Sequence, residues 1–327
     1  MRHATYSYRR RMVIFIAPCL IVIPGCSSGN TAANVPEPNT QTQAQRQSQQ
    51  SPNFEQRRQT AEEQVRPEVE KERQNAKEQA DQSLDKDAVV AIAQTQTAID
   101  AIAKNQRSEA LAAIEAATGK INILLARNAA AALIPVASEV EVIDAAPLDE
   151  KAIKALDHGL ADAVTAKDYP AARLILYSLT SEIRIRTYNL PLATYPTALK
   201  DAARFLDQGK NDQASQVLLT ALNTLAVVEK ATPIPVVLAR AAITAAEEQS
   251  KKDKNAAQIL LATAKNQLQR CQDLGYAADI PEYPALNTNI AQLEKELKGN
   301  EDTGVLFSKL KEELSSFFNR QSAKERR

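Results

Sequence analysis

Between Ala171 and Leu225 the hydrophobic period changes twice, and this limits the possible folds more than any other feature of the chain. Ala172, Leu176, Leu179 and Ile183 keep the spacing of one helix face. From Glu182 to Tyr188 apolar and charged residues alternate, with Ile183 and Ile185 on one side and Arg184 and Arg186 on the other. That alternation suits a short half-buried strand. Pro191 and Pro196 then bracket a connector that cannot be helical throughout. Helical spacing returns with Leu199, Ala202, Ala203 and Leu206. Gln208–Asn211 reads as a turn in which Gly209 suits a left-handed C-cap. Ala214, Val217, Leu218, Ala221, Leu222 and Leu225 form a stripe wide enough to face a core. A helix, a short polar turn and a helix make an antiparallel hairpin.

The same arrangement recurs along the chain. Val89, Ile92, Ile99 and Ile102 mark one helix, and Leu111, Ile114, Ala117, Ile121 and Leu124 its partner across Lys104–Arg107. Ile153, Leu156, Leu160 and Val164 mark another. Val236 to Ala245 and Ala257 to Cys271 give a further pair, and Leu286, Ile290, Leu293 and Leu297 one more helix. The many alanines permit close helix packing at low side-chain entropy cost. Ala110, Ala172, Ala214 and Ala257 each follow a turn, at offsets of 62, 42 and 43 residues. The last two suit stacked helix pairs, but the first does not, so a bundle of hairpins is expected rather than a solenoid. The fold class is mainly α, with at most a small two-stranded β element and a disordered N-terminal tether.

That β element is predicted from charge. Glu139 and Glu141 alternate with Val140 and Val142 as Arg184 and Arg186 do with Ile183 and Ile185. Pairing the two segments puts glutamates and arginines on one outer face, where opposite charges stabilise a sheet. The rival reading makes Glu139 and Glu141 an acidic pair for a cation or for acid–base work.

Ile134-Pro135-Val136, Glu139 to Asp144, Asp168 to Arg173, Leu190-Pro191-Leu192-Ala193-Thr194-Tyr195-Pro196 and Ala202 to Lys210 together resemble the YfdX family of bacterial envelope proteins. The resemblance runs from Ala88 to Ala277, and the Leu-Pro-Leu-x-Thr-Tyr-Pro connector is its most specific part. It implies a largely helical domain and an association with stress responses. It implies no settled activity and no catalytic residues.

The N-terminus reads as an address. Arg2, Arg9, Arg10 and Arg11 precede an apolar run from Met12 to Ile23, the pattern of a signal peptide too short to span a membrane. Ile23-Pro24-Gly25-Cys26 resembles the box at which lipoprotein precursors are cut, which makes Cys26 the expected lipid attachment residue. Pro24 stands where a small or β-branched residue is typical. More than one acyl chain, palmitate among them, gives stable membrane attachment where a single chain does not. Ser27 and Ser28 follow with no aspartate, which by resemblance to sorted lipoproteins favours the periplasmic side of the outer membrane.

Residues 1–25 are therefore read as a signal peptide, 26–53 as a disordered tether, 54–87 as a charged helical stalk, 88–277 as the YfdX-like domain and 278–327 as C-terminal helices. The tether is rich in Gln, Asn, Ser, Thr and Pro and cannot offset its ordering entropy. It would span roughly 25–30 Å. The stalk has charge pairs but little to bury, and Pro67 should divide it. At the other end Leu306, Leu310, Leu314, Phe317 and Phe318 make an amphipathic helix expected to dock on its own domain.

Chemistry is thinly represented. The full chain has 40 basic and 40 acidic residues, and loss of the four N-terminal arginines leaves a net negative protein. Nucleic acid is therefore not expected as a partner. With Cys19 removed and Cys26 lipidated, Cys271 has no disulfide partner and reads as a buried inert thiol. His158 lies off its helix stripe and is expected to be exposed. One histidine and one thiol cannot build an ordinary zinc or haem site, and no Gly-rich phosphate loop is present, so no metal, no cofactor and no catalytic residue is expected. Tyr169-Pro170, Tyr195-Pro196 and Tyr283-Pro284 mark helix entries, with the tyrosines packed beside them or lining a pocket for a small apolar ligand.

Three functions compete. A non-enzymatic binding or chaperone-like envelope protein, taking a protein or small apolar ligand, would show a concave apolar pocket with tyrosine. A carboxylate-only enzyme would bring two carboxylates into that pocket. A structural or assembly protein would act through stalk and tail and expose a self-complementary apolar patch.

Overall fold

Glu139 lies opposite Arg186 and Glu141 opposite Arg184, so the two segments pair as charge alternation predicts, in antiparallel register. They belong to β1 (Leu133–Asp144) and β2 (Ser181–Pro191) of a computed structural model that describes residues 41–128, 132–276, 283–299 and 303–324. The signal peptide, Cys26 and the first part of the expected tether lie outside the described residues. Contacts divide the chain into Met1–Gln47 and Ser48–Arg327, and the second unit holds the architecture.

The sheet has one strand more than expected. β3 (Ala226–Pro233) pairs with β2, from Glu182 opposite Pro233 to Asn189 opposite Ala226, giving the order β1-β2-β3. Its sequence, AVVEKATP, does not alternate, because an edge strand with Val227 and Val228 exposed has no buried face to impose period two. Proline closes it, as an edge permits.

Helices surround this sheet in hairpins: α3 (Lys86–Ala103) with α4 (Arg107–Arg127), α5 (Glu150–Thr165) with α6 (Tyr169–Ser178), α7 (Tyr195–Asp207) with α8 (Asn211–Asn223), and α9 (Ile234–Ser250) with α10 (Lys254–Asp273). Gly209 turns α7 into α8 at φ +71°, with its N–H donating to Leu206 O and that of Lys210 to Phe205 O. Asn105 and Lys167 hold the same left-handed conformation in the first two hairpins.

The hydrophobic interior is in two parts, and β2 contributes to both. Ile134, Val136 and Leu190 join α3, α4, α7 and α8, where Ala88, Ala91, Ala110, Ala113 and Ala117 let the helices close up. Ile183 joins α9, α10, α11 (Tyr283–Lys298) and α12 (Gly304–Lys324). The mainly α fold is as expected.

Some local expectations change. The face that predicted one helix through Ile183 breaks at Ser178. Leu176 is exposed and Ile183 belongs to β2. Pro67 divides the charged segment into α1 (Gln41–Val65) and α2 (Pro67–Gln82), with α1 reaching back into the segment read as tether. Glutamine and alanine are good helix formers, which allows this. The segment buries more than predicted: Ala61, Val65 and Val69, spaced by four, pack into the α9–α12 core. The tail docks there too, through Phe307, Leu310 and Leu314, with Leu306 only partly buried. No helix of the described residues is long and apolar enough to cross a membrane.

Candidate binding site

The α7–α8 hairpin presents two faces. Leu199, Ala202, Leu206, Ala214 and Leu218 point into the core. On the other side the crease between the helices opens as a groove of about 790 Å³. Its base is made by small or flat side chains, Ala193, Ala198, Ala221, Val217 and Phe205. Its edge is polar but almost uncharged: Thr194, Thr197, Gln213, Gln216, Thr220 and Thr224, with Asp201. Small residues facing each other across a helix pair leave the volume unfilled.

Tyr195 borders the groove but belongs to the core, where its hydroxyl anchors it. The residue is 1% exposed, and its O–H donates to Thr95 Oγ1 of α3 at 2.8 Å. Burial pushes the phenol up to about 12. Arg204 carries its guanidinium 5.3 Å from the Phe205 ring centre and also pairs with Asp201 at 2.8 Å. Among the described residues Asp201 is the one carboxylate lining the groove, and it is already neutralised, so no second acid converges on it there.

The other residues singled out from sequence lie elsewhere. Glu139 and Glu141 do not line the groove. Arg186 pairs with Glu139 at 3.6 Å, with Glu141 at 2.9 Å and with Glu229 of β3 at 2.7 Å, while Arg184 pairs with Glu182 at 2.6 Å. The acidic pair therefore belongs to a charge ladder across three strands. Of the Tyr-Pro tyrosines, Tyr283 is buried in the α9–α12 core, whereas Tyr169 is 59% exposed. His158 is exposed. Cys271 is fully buried and free, and burial lifts its thiol to about 12. Tyr195 and Val217 of the groove carried a sequence signal. Ala198, Gln213 and Gln216 carried none, because only the alignment of α7 on α8 brings them together.

The groove and both strands of the expected pairing fall within residues 91–231, which match the family model described as YfdX protein. Residues 91–231 are similar to the YfdX family. The match starts within α3 and ends in β3, so the matched segment holds the groove, while α9–α12 lie beyond it. Among solved structures, one of Salmonella Typhi YfdX matches at 13% identity, over 46% of this chain and 93% of the other, with a TM-score of 0.32. No curated protein matches the chain.

Proposed function

We propose that this chain is a non-enzymatic binding protein of the bacterial envelope, held by lipid on Cys26 at the periplasmic side of the outer membrane. It takes small apolar molecules into the α7–α8 groove in a chaperone-like, stress-associated role. The observation that carries the reading is the groove itself. Its volume of about 790 Å³ lies within the range of small-molecule sites, and its base is apolar with a neutral polar edge. Such a lining favours ligands by area removed from water, with threonine and glutamine fixing orientation.

The test is titration with N-phenyl-1-naphthylamine, an apolar dye that brightens on leaving water. Saturable brightening is expected, and Ala198→Trp, which fills the groove from its half-exposed wall, should abolish it. Equal binding by that variant would reject the groove. Labelling cells with palmitate should mark the chain and not its Cys26→Ser variant. An unmarked chain that washes off membranes would reject the anchor.

A further inference from the structure

Outside the groove, the structure contains a second cavity whose polar groups are left over from folding. It measures about 690 Å³ and lies between α1, the loop before α5 and α10. Its walls are fixed. Arg270, 4% exposed, donates to Ala146 O at 2.9 Å and Pro147 O at 3.2 Å and lies 3.5 Å from Asp144, which pins the loop to α10. Thr263 Oγ1 donates to Ile259 O at 3.0 Å within α10 and lies 3.4 Å from Arg58 O of α1, so the two helices are in contact there.

On the lining of this cavity Gln267 is 0% exposed, and among the described residues neither its Oε1 nor its Nε2 has a hydrogen-bond partner. Arg58, on the same lining, gives its Nε and Nη2 to Glu55, while its buried Nη1 lies 3.6 Å from Glu62 Oε2 and makes no hydrogen bond among the described residues. Leaving a buried amide unmatched is costly, and folding alone gives no reason to keep one. The unused set is one acceptor and two donors. The edge is acidic, with Glu55, Glu62, Glu63, Asp149 and Glu150 on it; Glu55 pairs with Arg58, Glu150 pairs with Lys154 and Asp149 accepts from Ala152 N–H, while Arg66 is turned to Asp144 at 2.9 Å.

We propose that this cavity binds a short basic peptide segment, recognised by its amide group and its positive charge. A primary carboxamide, or the N–H and C=O of one extended residue, presents a carbonyl to Gln267 Nε2 and an N–H to Gln267 Oε1, a reciprocal pair that the opposed N–H and C=O of a single trans peptide group could not make. The carbonyl's second lone pair is available to Arg58 Nη1. The cation then meets the acidic edge. A carboxylate in place of the amide would leave Oε1 unmatched and bring a negative charge among the glutamates. This inference does not depend on the α7–α8 groove.

The test uses the full chain and lysinamide as probe, with lysine and pentane-1,5-diamine as controls, followed by the side-chain amide signal of Gln267 in nuclear magnetic resonance. Lysinamide should shift that signal saturably and bind roughly tenfold or more tightly than either control. Gln267→Leu should remove the preference while the chain stays folded by circular dichroism, with Gln267→Met as the second variant. Glu63→Gln should weaken lysinamide and the diamine alike. Equal binding of lysinamide and the diamine, an unchanged preference in the Gln267 variants, or no shift with lysinamide would each overturn the proposal.

Discussion

Tyr195 and Thr95 stand 100 residues apart and meet at 2.8 Å, hydroxyl to hydroxyl, between α7 and α3. The bond is not symmetric. Thr95 Oγ1 donates to Ala91 O at 2.8 Å and accepts from Tyr195. Tyr195→Phe leaves Thr95 with its donor used and should cost about 0.5–1.5 kcal/mol. Thr95→Val strands a buried phenol and should cost more, about 1–3 kcal/mol. Urea unfolding of the two variants gives the order. A larger loss for Tyr195→Phe would mean that the hydroxyl has another partner.

Arg186 joins all three strands through Glu139, Glu141 and Glu229. Arg186→Met removes the cation and leaves three carboxylates on one face of the sheet. The variant should unfold at lower urea. Because the ladder is solvent-facing, salt should shrink the difference: at 1 M the screening length is about 3 Å, short enough to mute both the pairing and the repulsion left behind. A difference that persists unchanged in salt would mean that the arginine stem, rather than its charge, supports the sheet.

This ladder also shows what the sequence could convey. Glu139, Glu141, Arg184 and Arg186 alternate with aliphatic residues, so both the strands and their pairing were readable before any coordinates. β3 was not readable, since Ala226-Val227-Val228 sits on an edge with no second face to enforce alternation. The packing of α1 and α2 was hidden for a related reason. Ala61, Val65 and Val69 give one small residue per turn, a stripe too thin to register among so many charges, yet sufficient to join the α9–α12 core. In the groove, Tyr195 had a signal through its proline, but a cavity is made by what is small, and Ala198 looks like any other alanine. Gln267 falls in register with buried Ala264 and Cys271, and nothing local distinguishes a buried glutamine from an exposed one.

Two glycines should respond to alanine in opposite directions. Gly209 has φ +71°, and a Cβ there would meet nothing within 4 Å, so the cost of Gly209→Ala is backbone strain alone, about 1–2 kcal/mol. Gly119 sits in the exposed interior of α4 at an ordinary helical φ, also with open space around a built Cβ. Gly119→Ala should stabilise by about 0.5–1 kcal/mol, since glycine loses more freedom on entering a helix. Thermal or urea unfolding measures both. Equal signs would refute the assignment of Gly209 to a left-handed cap.

Burial should also set an alkaline limit on the fold. Tyr195 is lifted from 10.0 to about 12 and Cys271 from 9.0 to about 12, both chiefly by desolvation, and Tyr276 moves in the same direction. The folded chain thus holds protons that the unfolded chain releases from pH 9 upward. Stability from these groups is complete below pH 9 and is lost progressively toward pH 12. The urea midpoint should fall across that interval, and Tyr195→Phe should flatten the part above pH 10. The same burial predicts the chemistry of the thiol. In a chain whose Cys19 and Cys26 are replaced by serine, Cys271 should ignore a thiol reagent at pH 8 until urea unfolds the α9–α12 core, and then react as fast as a free cysteine. Rapid labelling in the absence of urea would show that α10 opens locally, and the alkaline fall in stability would then have to come from the tyrosines alone.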